Sequence, residues 1–386
     1  MRCRKSMFII ICGLFFYALI EGGSYLTCLF LVQQGTLYAP KIITESYESY
    51  MSRLSPQLGW PSATSFGKYG LDQSGSRIIP AFPDPDKFDS CISMYGDSFI
   101  YGAEVADDNA WGNILAKLIN CRVANYGVGA YGTDQSYLRF KYNKQDDSKI
   151  VIIGFYSDNI MRNVNQLRNL LSPSESFTIK PRFIMTEENC LRLVPIPELT
   201  KEDYQRLINN PERYLQHDYF VPEGLSGRLH SEFPYSVRVL KLSKRLLFRI
   251  ISGNRSYEEF YQPYHESKAL QVTTAIIETF YQEAKARGKY PLVLLIPSLA
   301  DINKFNITKI WIYQTLMDNL VKSNIEFINI GKGIIYSLNK RDPQLIYAKY
   351  NHLNKEGQEL MANYVFEYLV SQKIIGGNAR PDVLKR

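Results

Sequence analysis

Histidine and cysteine are scarce in this chain. Four histidines and six cysteines among 386 residues, with no CxxC and no paired-histidine spacing, give no basis for a metal site. The cysteines form two sets of three: Cys3, Cys12 and Cys28 near the start, and Cys91, Cys121 and Cys190 in the body. An odd number in the body gives no disulfide framework, so free buried thiols are expected there. Cys91 and Cys121 nonetheless each open a strand-like run, which makes them candidate neighbours. Basic blocks are missing too. The net charge of +7 is scattered, and without a binding motif it does not imply nucleic acid. There is no internal repeat and no low-complexity tract. No uninterrupted apolar run reaches the ~20 residues that span a bilayer.

What is present is a large apolar and aromatic content: 45% hydrophobic residues, with 28 Tyr and 20 Phe. That is enough for one large domain, or one domain with an insertion. The aromatics suit packing first and flat, sugar-like ligands second. At the N-terminus, basic "MRCRK" precedes apolar "SMFIIICGLFFYALI", and after "EGG" the apolar "SYLTCLFLV" follows. Read through to Val32, at the cost of Glu21, the segment is long enough to cross a membrane. Its basic flank orients the start inward. No Ala-x-Ala cleavage pattern follows, so residues 1–35 are expected to be an uncleaved anchor. The body would then lie on the periplasmic or extracytoplasmic side. Residues 36–88, rich in Pro, Ser, Gly and Tyr, read as a connecting and covering segment.

From Cys91 a strand–helix alternation begins. "CISMYG" is a strand and "DDNAWGNILAKLIN" a helix that Asp107 or Asp108 would cap. "CRVANYG" is a strand, "TDQSYLRFKY" a helix, and "KIVIIGFY" a strand apolar on both faces. The pattern lapses over about 165–262, which reads as an insertion. It resumes with a helix in "ALQVTTAIIETFYQEAKARG", a strand in "YPLVLLIP", a helix in "IWIYQTLMDNLVKSN" and a strand in "IEFINI". A helix in "KEGQELMANYVFEYLVSQ" completes the core domain at 89–375, leaving a tail at 376–386. Such alternation predicts an α/β fold with a parallel sheet covered on both sides.

Ligands in such sheets gather beyond the carboxyl ends of the strands. After the first strand comes Gly96-Asp97-Ser98, after the second "NYGVGAYGTDQ", and after the third "SDNIMRN". Ahead of the last helix comes "KYNHLNKEGQ". Together they offer a hydroxyl, glycine-rich backbone, a carboxamide and an imidazole, a set suited to acyl transfer. Ser98 would attack a carbonyl and His352 would carry its proton. The Ser98 N–H, a backbone N–H from the Gly127–Gly132 loop and the Asn159 amide would face the oxyanion. Asp97 is expected to hold the nucleophile turn, and Arg162 to contact substrate or a surface partner. "GVGAYG" matches GxGxxG by letter. It follows the second strand rather than the first, and Asp158 comes late for a ribose-binding acid, so no dinucleotide is expected. "NIT" and "NRS" match the glycosylation pattern, which matters only in a host that glycosylates.

The stretches "YGDSFIYG", "NYGVGAYGTDQ", "SDNIMRN" and "NHLNKEGQ" together resemble the four blocks of the SGNH (GDSL-type) hydrolases. The likeness covers roughly 89–165 and 266–375. It is closest to the membrane-anchored bacterial branch, in which a stretch like Gly75-Ser76-Arg77 recurs. The resemblance implies a flavodoxin-like three-layer α/β/α sandwich. It also implies ester hydrolysis or O-acyl transfer, often on acylated carbohydrate, without metal or organic cofactor. Carried over by position, Ser98 matches the nucleophile, Asn159 the oxyanion donor and His352 the base. The donor glycine of the second block falls on Ala130, or on Gly129 if the loop is shifted by one. The family's acid, two or three residues ahead of the histidine, is replaced by Tyr350 and Lys349. Three explanations stay open: a dyad with a backbone carbonyl as orienter, an acid recruited from elsewhere, or an inactive descendant. The expected function is thus a serine esterase or O-acyltransferase on O-acyl, most simply acetyl, esters of envelope carbohydrate. The alternative is a non-catalytic glycan-binding module that keeps the fold.

Overall fold

The structure is a computed structural model, and it describes residues 2–40, 44–59, 70–172, 176–224, 227–252 and 256–376. Most of the expected tail and Asn254 of "NRS" lie outside the described residues. The chain opens with α1 (Arg2–Gln33) and α2 (Tyr47–Arg53). β1 (Ser90–Tyr95) ends in the one-turn α3 (Ser98–Tyr101), and α4 (Trp111–Ile119) leads to β2 (Arg122–Asn125). α5 (Thr133–Tyr142) precedes β3 (Ile150–Tyr156), which runs into the short α6 (Asn159–Arg162). A hairpin of β4 (Arg182–Met185) and β5 (Leu191–Val194) is followed by α7 (Lys201–Asn209), α8 (Pro211–Tyr214) and α9 (Tyr235–Ser252). α10 (Ala269–Ala286) leads to β6 (Tyr290–Ile296). α11 (Leu299–Thr308) and α12 (Gln314–Lys322) then lead to β7 (Phe327–Asn329). α13 (Ile330–Leu338) and α14 (Lys355–Ser371) close the fold.

Two units divide these elements. The larger comprises 52–164, 179–196 and 257–386, and the smaller comprises 1–51, 165–178 and 197–256. The expected insertion is therefore shared: its 179–196 stretch, with the β4–β5 hairpin, belongs to the larger unit.

In the larger unit five parallel strands run in the order β2-β1-β3-β6-β7. The order reverses between β1 and β3, which is where a doubly wound sheet opens its binding crevice. β3 and β6 pair over their whole lengths and are almost wholly buried, as the unbroken apolar runs require. Helices cover both faces in three layers. α4 does not begin at an aspartate cap as expected: Asp107 and Asp108 lie in a 3-10 turn ahead of it, and Ala110 takes the N-cap position. Asp107 is drawn instead to the buried Arg77, at 2.8 Å.

The cysteine expectation is corrected as well. Cys91 and Cys121 form a disulfide with Cα atoms 6.1 Å apart, within normal geometry. Parallel pairing of β1 with β2 aligns their opening residues and brings the two thiols together. The third body cysteine, Cys190, is free and exposed, which is why an odd count misled.

In the smaller unit α1 is long and apolar enough to cross a membrane. Tyr50, Phe177 and Tyr204 form its aromatic centre, with ring centroids about 5 Å apart. Asp218 Oδ2 accepts from the Gln166 and Leu167 amides at 2.6 and 2.8 Å, tying the 165–178 stretch down.

Candidate active site

Ser98 starts α3 immediately beyond β1, and Asp97 caps that turn by accepting from the Phe99 amide at 2.9 Å. The turn is clamped on all sides. Trp111 Nε1 donates to the Ile100 carbonyl at 2.9 Å, and Asn125 Nδ2 to the same oxygen at 2.8 Å. The second block lies alongside: Val128 N donates to the Gly96 carbonyl at 3.0 Å, and Gly127 rests on the Tyr101 backbone, where a Cβ would collide. The first glycine of "GVGAYG" is thus used in packing on the nucleophile turn, and the last, Gly132, lies against Asp134, Asn163 and Arg162.

His352 arrives from the loop ahead of α14. Its Nε2 lies 2.8 Å from Ser98 Oγ. Its Nδ1 lies 2.5 Å from Glu104 Oε1. An acid does therefore stand behind the imidazole, and it comes from the nucleophile's own segment. The ring is further fixed by Phe99, 5.2 Å away between centroids, which itself stacks on Tyr156 at 4.2 Å. A hydroxyl, an imidazole and a carboxylate in one hydrogen-bonded chain can deprotonate the hydroxyl, hold the tautomer that does so, and stabilise the imidazolium formed.

Glu104 is held in an unusual way. Its φ is 68°, a left-handed conformation that a side chain adopts at a cost of about 1 kcal/mol. Arg77, fully buried, spans the flanking backbone and offsets that cost. Its guanidinium donates to the carbonyls of Tyr101 and Gly102 at 2.6 Å and of Val105 at 2.8 Å. The arginine of the Gly75-Ser76-Arg77 stretch thereby shapes the loop that presents the acid. Glu104 is not among the expected residues because it lies 248 positions from His352, far from the places just ahead of the histidine where an acid was expected. The signal available was that it is the first carboxylate after the nucleophile turn.

The remaining expected residues divide. Asn159 opens α6 and is fully buried. Neither its amide nitrogen nor its oxygen has a well-formed hydrogen bond, although the side chain lies near enough to Asp97 to favour the charged carboxylate. A buried amide left without a full partner is costly unless a ligand completes it. Gly129 and Ala130 form the tip of the second-block turn, closed by Tyr131 N donating to Val128 O at 3.2 Å. Ala130 does not have the ordinary backbone angles a Cβ prefers: its φ is 63°. Arg162 is buried, not presented to solvent. Its Nη1 lies 3.1 Å from the Tyr131 carbonyl and 3.4 Å from Asp97, and its Nη2 lies 3.1 Å from Asp158. It braces the second and third blocks against the nucleophile turn. Burial pushes the Asp97 carboxyl above its ordinary range, against the opposing pull of Arg162. Among the described residues no cluster of metal-binding side chains occurs.

No protein-family model matches the chain, and no curated protein matches it. Solved structures resemble it over most of their length. A lipolytic protein of the G-D-S-L family from Veillonella parvula shares 12% identity, with 72% of this chain and 97% of that one covered, at a TM-score of 0.34. An acetylxylan esterase from Geobacillus stearothermophilus shares 11% identity, covering 76% and 99%, at 0.38. An α/β hydrolase from the metagenome of Lake Arreo, Spain, shares 10% identity, covering 75% and 99%, also at 0.38. Likeness at this level assigns neither substrate nor residue roles.

Proposed function

We propose that the chain is a serine ester hydrolase of the SGNH kind. The Ser98–His352–Glu104 hydrogen-bonded chain carries this reading. His352 takes the Ser98 proton as Oγ attacks the ester carbonyl, and an acyl-serine forms as the tetrahedral adduct collapses. His352 returns the proton to the departing alkoxide. Water, activated by the same imidazole, then releases the acid and restores Ser98. Glu104 keeps Nδ1 protonated and Nε2 facing the hydroxyl. The Asn159 amide and the amides of Ser98 and of Gly129 or Ala130 are the proposed oxyanion donors. Each is worth about 3–4 kcal/mol where such donors have been removed.

The proposed substrate is an O-acyl, most simply acetyl, ester of envelope carbohydrate, with the catalytic unit held outside the cytoplasm by α1. Two features support that placement. α1 has the length and composition of an anchor, and the Cys91–Cys121 bond belongs in an oxidising compartment. The glycan-binding alternative is favoured by an acid missing behind the imidazole, and the carboxylate of Glu104, 2.5 Å from His352 Nδ1, weighs against it. Transfer to a sugar hydroxyl uses the same acyl-serine with a different acceptor.

The test is a fluorophosphonate probe with p-nitrophenyl acetate turnover. Ser98 should be labelled in folded protein and turnover should vanish in Ser98→Ala. A folded chain that neither labels nor turns over would overturn the reading.

A further inference from the structure

We infer that α9 is a second membrane element: its first turns, packed along the outer part of α1, seat an amphipathic face at the lipid boundary, with anionic phospholipid as partner. The inference rests on the proposed reading of α1 as a span. A hydrocarbon core of about 30 Å takes ~20 helical residues. The charge-free stretch from Ser6 to Ile20 supplies only about 22 Å at 1.5 Å per residue. The exposed apolar residues that complete the length, Tyr25, Leu26, Leu29 and Phe30, lie beyond Glu21. Glu21 therefore sits inside the hydrocarbon, about two turns or less from its outer boundary, where a bare carboxylate is costly.

The carboxylate is not bare. Glu21 is 7% exposed; its Oε2 accepts from the Tyr235 amide at 2.7 Å, and its Oε1 from the Ser236 amide and hydroxyl. Those groups begin α9, so that end of α9 lies at the same depth as Glu21. Tyr25 and Tyr235 pair there at 5.0 Å, in the aromatic manner of a membrane–water boundary. From that point α9 turns one face inward: Leu242, with Val239 beside it, packs on Cys28, Leu31, Val32 and Leu37. Val237 and Leu240 are exposed on the other face, 42% and 63%, with Lys241 and Lys244 beside them at helical spacing. Phe233, just ahead, is 61% exposed. Apolar tips interleaved with lysines whose ammonium groups reach outward match the first turns of a helix seated at an anionic lipid boundary.

The experiment uses full-length protein in nanodiscs containing phosphatidylglycerol and a phospholipid with a diazirine in its tail, with cross-linked peptides mapped by mass spectrometry. Cross-links are expected on α1 and also on Phe233, Val237 or Leu240. Lys241→Gln should lower those on α9 about fivefold, equivalent to ~1 kcal/mol of surface attraction, while sparing α1 and ester turnover. Labelled α1 with silent α9 overturns the inference, as does α9 cross-linked to a second copy of the chain instead of lipid. A silent α1 sinks the span reading and this one with it, while p-nitrophenyl acetate turnover reports independently on the hydrolase.

Discussion

Glu104 is the residue on which the difference between a triad and a dyad turns. Replacing it by Gln keeps the shape, removes the charge behind the imidazole and admits the wrong tautomer. Glu104→Gln should therefore cut kcat for p-nitrophenyl acetate by about 10³–10⁴-fold with little change in thermal stability, as comparable acid-to-amide changes do. A drop under tenfold would make Glu104 a bystander. Asn159→Ala should lower kcat by about 10²–10³-fold and leave KM nearly unchanged, since the oxyanion exists only at the transition state. Ala130→Gly should raise unfolding free energy by about 1 kcal/mol in denaturant titration, because glycine accepts φ 63° without a Cβ penalty. Ser98, Asn159 and His352 were legible as candidates because each lies in a local motif at a strand end or just ahead of a helix. Glu104 was not, since its role comes from a loop geometry that Arg77 imposes from outside the motif. The involvement of Arg162 in holding Asp97 was hidden for the same reason.

At the scale of elements, apolar runs and helical periodicity exposed every strand of the main sheet and the helices α4, α5, α10, α12 and α14. α2, α7, α8 and α9 escaped, the last three within the stretch read as an insertion, and so did α11, α13 and the β4–β5 hairpin. α13 carries Gly331 and Gly333, which look like loop residues; Gly331 is instead the place where the Trp311 ring lies against the helix. α11 has little amphipathic contrast, and the β4–β5 hairpin sits in a stretch without clear alternation. α11 also carries Asp301, buried between Ser157 and Tyr257 hydroxyls at 2.5 and 2.6 Å. Burial raises its carboxyl above the ordinary aspartate range. The folded chain then holds a proton that the unfolded chain has released, so this group's stabilisation is complete below about pH 4 and is lost as pH rises through the folded value. Unfolding free energy of the parent minus that of Asp301→Asn should accordingly fall as pH rises from 4 toward neutrality. A flat difference would contradict the burial argument. Breaking the disulfide by Cys91→Ser with Cys121→Ser should cost about 3.6 kcal/mol for a loop closed at a separation of 30 residues. Ester turnover at 25 °C should persist, because the bond lies at the opposite ends of the strands from Ser98.

For the molecule as a whole, the proposed compartment is open to a direct check. Denatured chain taken from cells with its thiols blocked at lysis should show Cys91 and Cys121 unalkylated until reductant is added. Alkylation without reductant would argue against an oxidising location. The proposed substrate predicts that envelope polysaccharide from cells lacking the protein carries a changed O-acetyl content by mass spectrometry.

The Cys91–Cys121 ring also bears on how the chain is built. It closes around most of β1, with α3 and α4, and stops just short of β2; both Ser98 and Glu104 lie within it. In a polypeptide delivered amino end first, that loop is stapled while the later strands are still threading. Ser98 and Glu104, the proposed nucleophile and acid, are then set in a finished corner of the protein, waiting for an imidazole that emerges some 230 positions after the second cysteine (352 − 121 = 231).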